Sequence, residues 1–187
     1  MKNNKTVTEV IKVAVILFVI TAVAAAILAS VNKVTAPVIK ENNIKLENDA
    51  MLKVLPDAKE FTRVEFEKSE DSIVSEIYKS DAGYYAVKVS PNGYGGPISM
   101  IVGVDNDLKV TGVEIISQNE TAGLGAKCME KDFQNQFRGK TENIVVSKTG
   151  AKDNEIDAIS SATITSKAVT KGVNEAIEAV KMIKGAE

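Results

Sequence analysis

The longest uncharged stretch of the chain lies near its N-terminus, where residues 13–31 read VAVILFVITAVAAAILASV. As a helix rising ~1.5 Å per residue this run spans about 28 Å, close to the ~30 Å hydrocarbon core of a bilayer. Lys2, Lys5 and Lys12 precede it against Glu9 alone, an excess that predicts a cytoplasmic N-terminus and an extracytoplasmic remainder. A cleaved signal peptide is the rival reading, supported by Ala24, Ala25, Ala26 and Ala29 but usually built on a run of only ~7–15 residues. A buried soluble helix is the other, and ~18 unbroken apolar residues argue against it.

Beyond the run the period changes repeatedly. Ile39, Leu46, Ala50 and Val54 recur at helical spacing between Pro37 and Pro56, which predicts a helix over 35–55 that prolongs the membrane span as a stalk. Tyr85, Val87 and Val89 alternate with Ala86 and Lys88, as in a strand. Ile98, Met100, Val102 and Val104 alternate up to Asp105-Asn106-Asp107, and residues 110–116 resume after it, which predicts an antiparallel hairpin. Met129, Phe133 and Phe137 predict a short helix ended by Gly139, and residues 144–146 a short buried strand. From Thr165 on, Ala168, Val169, Gly172, Val173, Ala176, Ile177, Val180 and Ile183 make one apolar helical face. Strands and helices that do not interleave regularly indicate an α+β domain, an antiparallel sheet with flanking helices. The expected organisation is a cytoplasmic 1–12, a transmembrane 13–32, a helical stalk 33–56 and an extracytoplasmic domain 57–187.

Composition narrows the chemistry by exclusion. The 187 residues contain no histidine and one cysteine, Cys128. An iron–sulfur cluster takes about four thiolates and structural zinc about four Cys or His ligands, so the chain is expected to bind neither metal. Histidine-based triads and internal disulfides are likewise excluded, and Cys128 is read as packing. Lys and Arg number 23 against 25 Asp and Glu, a net of −2. Removing Lys2, Lys5, Lys12 and Glu9 leaves 20 against 24, net −4. No basic stripe is present, so no nucleic-acid partner is expected.

Residues 157–169, DAISSATITSKAV, place Ser160, Ser161, Thr163, Thr165 and Ser166 directly before the terminal helix. A helix N-terminus offers about four unpaired N–H groups and a partial positive charge, and hydroxyls add donors, a combination suited to phosphate. Plain N-capping is the competing reading, although it needs one hydroxyl rather than five. A lysine-assisted serine nucleophile, Ser160 or Ser166 with Lys167, is a third, disfavoured because adjacent residues at a helix start seldom reach attack geometry. Residues 119–127, NETAGLGAK, set Gly123 and Gly125 around Leu124 between a strand and a helix, a place for a structural turn or a binding loop. It lacks the Gly-Lys-Ser/Thr ending of a phosphate-binding P-loop. Residues 91–97, PNGYGGP, present Tyr94 among glycines.

These segments resemble one family, the exported FMN-binding domain found in the G subunit of the Rnf electron-transport complex and in the C subunit of the sodium-pumping NADH:quinone reductase. The family's flavinylation motif, Asp-x-x-Ser/Thr-Gly-Ala-Ser/Thr-x-Ser/Thr, is matched by Asp157, Ser160, Ala162, Thr163 and Thr165, with Ser161 in place of glycine. Its Glu-Thr-Pro-Gly-Leu-Gly hallmark is matched by Glu120, Thr121, Gly123, Leu124 and Gly125, with Ala122 in place of proline. The Rnf protein is the nearer likeness, since this chain passes directly from anchor to domain.

The resemblance implies FMN esterified through its phosphate to Thr163, attached outside the cytoplasm by a separate flavin transferase. Ser160, Ser161, Ala162 and Thr165 would surround the phosphate. Glu120, Thr121, Gly123, Leu124 and Gly125 would flank the ring, joined by Tyr94 on its glycine context. The implied function is a membrane-anchored electron relay, without a complete reaction of its own. It would work beside other membrane and peripheral subunits of a complex that moves electrons between ferredoxin and NAD and translocates sodium or protons. A role like that of the C subunit in a sodium-pumping NADH:quinone reductase is one alternative. A non-enzymatic anchored binding module is the other, and the chain lacks the Gly-Phe-Thr-x-x-Glu start of pilin-like anchors.

Overall fold

The N-terminal apolar run and the helical stretch after it form one continuous helix, α1 (Lys2–Val54), with Pro37 inside it. A proline inside a helix forfeits one backbone hydrogen bond, at about 3 kcal/mol or more, and the long flanking turns offset it here. The helix is long and apolar enough to cross a membrane, and none of its most apolar window is buried against protein. The computed structural model describes residues 2–67 and 72–186; the side chains of Lys2 and Lys5, on which the orientation partly rests, lie outside the described residues. The chain divides into two compact units, Met1–Lys45 and Leu46–Glu187.

The second unit is built on a five-stranded antiparallel meander in the order β1-β2-β3-β4-β5. Its strands are β1 (Phe61–Val64), β2 (Val74–Ser80), β3 (Tyr85–Val89), β4 (Ser99–Val104) and β5 (Val110–Ser117). The predicted hairpin is β4–β5, with Val102 opposite Val113. Its turn is held by Asp105, whose Oδ1 accepts the N–H groups of Asp107 at 2.8 Å and Lys109 at 2.9 Å. After β5 come a 3₁₀ turn (Gly125–Met129) and the short α2 (Lys131–Asn135). A parallel pair then forms from β6 (Val145–Ser147) and β7 (Glu155–Asp157), before the terminal α3 (Thr163–Ala186).

The sheet is covered on both faces. Val87, Val89, Met100 and Val102 share one apolar core with Val169, Val173, Ala176, Ile177 and Val180 of α3. Ala86 and Ile101, on the opposite face, pack with Ala50, Met51, Val54 and Leu55. The last two turns of α1 thus belong to the folded domain. Paired Gly103 and Gly112 make room for them: a Cβ on Gly103 would lie 3.0 Å from the Val54 Cβ and carbonyl oxygen. Thr111 Oγ1 donates to that carbonyl at 2.8 Å, and ion pairs Lys88–Glu47 (2.6 Å) and Lys53–Glu114 (2.8 Å) frame the contact.

The Met129, Phe133, Phe137 stripe is only partly a core face. Phe133 and Phe137 are buried with rings meeting edge to face at 5.6 Å, but Met129 is exposed, because the chain leaves helical geometry at Glu130. Cys128 is fully buried in the α3-side core, and burial, followed by the Glu120 charge, pushes its thiol up to about 11.

Leu55 is buried whereas Leu52, on the same helix end, is exposed. Leu55→Ala is expected to destabilise the domain by about 2–5 kcal/mol and Leu52→Ala by under ~0.5 kcal/mol, read from denaturant midpoints. Glu114 supplies a pH test. Burial pushes its carboxyl up, but hydrogen bonds and charge from Lys131 and Lys53 outweigh that and hold it below the usual range. A depressed folded-state value adds stability above the unfolded value of about 4.3 and loses it as pH falls through the folded one. Glu114→Gln should therefore flatten the acid limb of the stability curve while lowering stability at pH 7.

Candidate functional site

Three loops at one end of the sheet meet the N-terminus of α3 and enclose a cleft of about 510 Å³. That volume is within the ~300–1,000 Å³ typical of ligand sites. One wall carries Ser161, Ala162, Thr163, Ile164 and Thr165; the facing wall carries Glu120, Thr121, Leu124 and Gly125; Tyr94 closes a third side. The two motifs separated in the chain therefore form opposite sides of one site. Of the expected residues, Ser160 and Gly123 do not line it. Each belongs to a turn that shapes a wall.

Both turns have the same construction. The Leu124 N–H donates to the Thr121 carbonyl at 3.1 Å, with Gly123 third in the turn at φ 76°. The Ala162 N–H donates to the Ile159 carbonyl at 2.9 Å, with Ser161 third at φ 63°. Such turns favour proline second and need a positive φ third. Ala122 occupies the second position of the first turn, which explains why the motif has proline there. Ser161 retains the positive φ that the motif's glycine would adopt freely, at a cost of about 1–2 kcal/mol for a side chain.

The second turn delivers the chain into α3. The first intrahelical bond runs from Ser166 N to Ala162 O at 3.0 Å, so the N–H groups of Thr163, Ile164 and Thr165 have no acceptor within the helix. The hydroxyls nearby divide sharply. Ser166 is fully buried, accepts the Ile159 N–H at 2.9 Å and donates to the Ala162 carbonyl at 3.0 Å. Lys167 is exposed, and no hydrogen bond joins it to Ser166 among the described residues, so the pair does not form a nucleophile and base. Thr165 is buried and donates to Glu120 Oε2. Thr163 is half-buried and lines the cleft as the first residue of α3.

Apolar groups edge the opening: Tyr94 is 73% exposed, Ile164 56% and Leu124 42%. Ile164 is absent from the sequence-predicted site. The signal for it is its place off the apolar stripe of α3, which begins at Thr165. Backbone donors and hydroxyls at the start of α3, together with exposed apolar side chains on the lining, fit a flat phosphorylated cofactor such as FMN. Gly125 keeps the floor open, since a Cβ there would lie 2.6 Å from Glu120 Oε2 and 2.7 Å from Thr165 Oγ1.

Residues 93–178 match the model of the FMN-binding domain family. The chain is 42% identical to the G subunit of the Na(+)-translocating ferredoxin:NAD(+) oxidoreductase complex of Acetobacterium woodii, over 90% of each chain. It is 38% identical to the G subunit of the proton-translocating ferredoxin:NAD(+) oxidoreductase complex of Clostridium ljungdahlii, over 85% of each. Among solved structures, the C subunit of the Na(+)-translocating NADH-quinone reductase of Parabacteroides distasonis superposes with a TM-score of 0.51. The two are 26% identical, over 65% of this chain and 75% of that one.

The two turns generate a paired prediction. Ser161→Gly is expected to raise stability by about 1 kcal/mol and Gly123→Ala to lower it by a similar amount, both read from thermal midpoints.

Proposed function

The chain belongs to the G-subunit family of ion-translocating ferredoxin:NAD(+) oxidoreductase complexes, and we propose that it serves there as the electron-relay subunit, carrying FMN esterified to Thr163. The observation that carries this reading is the state of Thr163. Thr165 and Ser166 are already engaged in buried hydrogen bonds, whereas Thr163 is reachable, lines the cleft and heads a helix whose first N–H groups are free for an anion. Attachment joins the Thr163 oxygen to the FMN phosphorus as the hydroxyl proton leaves. A flavin transferase would supply the activated FMN donor, whose leaving group departs with the bonding pair.

FMN, when bound, supplies the redox chemistry. The chain's own residues hold and shield it. The N–H groups of residues 163–165, with Ser161, face the phosphate charge, the N-terminal end of the α3 dipole adding to them, and Ser160 supports them from the turn before α3. Tyr94, Leu124 and Ile164 cover the ring and exclude water, and Thr121 offers it a hydroxyl. The small Ala162 lets the phosphate approach the backbone. Glu120, Gly123 and Gly125 shape the facing wall.

α1 anchors this domain in the membrane, with residues 1–12 cytoplasmic, 13–32 crossing, a stalk over 33–56 whose last two turns pack into the domain, and the cleft on the extracytoplasmic side. The partners are the remaining membrane and peripheral subunits of a complex that couples electron transfer from ferredoxin to NAD with sodium or proton translocation. High identity over nine-tenths of the chain favours this assembly over the quinone reductase of the structural neighbour.

Thr163→Ala, produced with a flavin transferase in an exporting host, is expected to lose flavin fluorescence on a denaturing gel. The wild-type band should fluoresce, and its Thr163 peptide should carry the mass of FMN. Fluorescence of the variant at wild-type intensity would overturn the assignment.

A further inference from the structure

Glu120 is the one ionisable side chain among the buried polar residues described. Burying a carboxylate costs several kcal/mol unless its oxygens are paired, and here both are. Oε1 accepts the Gly95 N–H at 2.8 Å, and Oε2 accepts the Thr165 hydroxyl. The surroundings are shaped for it. A Cβ on Gly93 would collide with Oε1, and one on Gly125 would lie 2.6 Å from Oε2. The carboxylate therefore touches the glycine loop, its own loop and the first turn of α3, all walls of the same cleft.

Building on the FMN reading above, we propose that Glu120 is a positioning residue whose carboxylate latches the Gly95 loop to Thr165, holding the cleft walls and Thr163 in one arrangement before FMN arrives. Without the latch the Gly95 loop has no side-chain tie to α3 through this carboxylate, and the Thr165 hydroxyl is left buried and unpaired. The latch also accounts for two motif positions at once. A hydroxyl is needed at residue 165 and a carboxylate at residue 120 because each is the other's partner.

The full chain is tested in two ways, by amide exchange at Gly95 in flavin-free protein and by in-gel flavin fluorescence after production with a flavin transferase. Glu120→Ala and Thr165→Val should each reduce Gly95 protection and flavin loading about tenfold. Thr165→Ser, which restores the donor, should recover both. Because the two groups act as one unit, the Glu120→Ala/Thr165→Val double variant should lose no more than Glu120→Ala alone. Wild-type protection or loading in Thr165→Val, or additive losses in the double variant, would overturn the latch. Glu120→Gln keeps the side-chain shape and an accepting oxygen, so it extends the test if Glu120→Ala fails to fold. A wild-type chain that takes up no flavin would refute the FMN reading instead, leaving Gly95 exchange to decide the latch.

Discussion

The central strand β3 buries side chains on both of its faces, Tyr85, Val87 and Val89 on one and Ala86 on the other, so the sheet has to be covered twice. Covering an apolar sheet face is worth roughly 25 cal/mol per Å² removed from water. One cover is α3, whose single apolar stripe suits the task. The other is the end of α1, admitted by the glycine pair at residues 103 and 112. This double cover sets the position of everything else. Held flat on the sheet, α3 brings its N-terminus to the end where the β3–β4 loop and the loop after β5 emerge.

The cleft follows from that convergence. Two turns with positive φ at their third residue bring backbone close to the opening, and a buried carboxylate lies between them with both oxygens paired. The arrangement combines two kinds of environment. Donors collect at the helix start, where partial positive charge favours an anion. Apolar side chains stand at the rim, exposed in a way that costs solvation unless a flat ligand covers them. A cofactor with a phosphate at one end and a conjugated ring at the other meets both demands.

Much of this was legible in the chain because it is written in local patterns. The α3 stripe, the β4–β5 alternation around Asp105-Asn106-Asp107 and the uncharged run of α1 are contiguous signals. The strands β1 and β2 were not legible. In β2, a register shift between Val74 and Glu76 breaks the two-residue alternation, giving buried positions at Val74, Ile77 and Ser80. β6 was legible as a strand over 144–146 but not buried as expected, since only Ile144, just before it, is buried and Val145 is exposed. β7, three residues long, is too short to show a period, and the parallel pairing of the two is non-local. The alternation at β3 separated two faces without showing that both are covered: Ala86, opposite Tyr85, Val87 and Val89, is fully buried because the end of α1 packs on that face.

The sequence by itself determined the membrane-length helix, the α+β character of the domain, and the residues of both motifs, since each depends on side chains close in the chain. It also left the role of each hydroxyl open, because five in seven residues look alike on paper. The tertiary structure alone separated them. Ser166 is spent on the turn before α3 and Thr165 on Glu120, a residue 45 positions away, while Ser161 and Thr163 remain at the cleft. That distinction is one of burial and partner, which arise only when distant segments pack together.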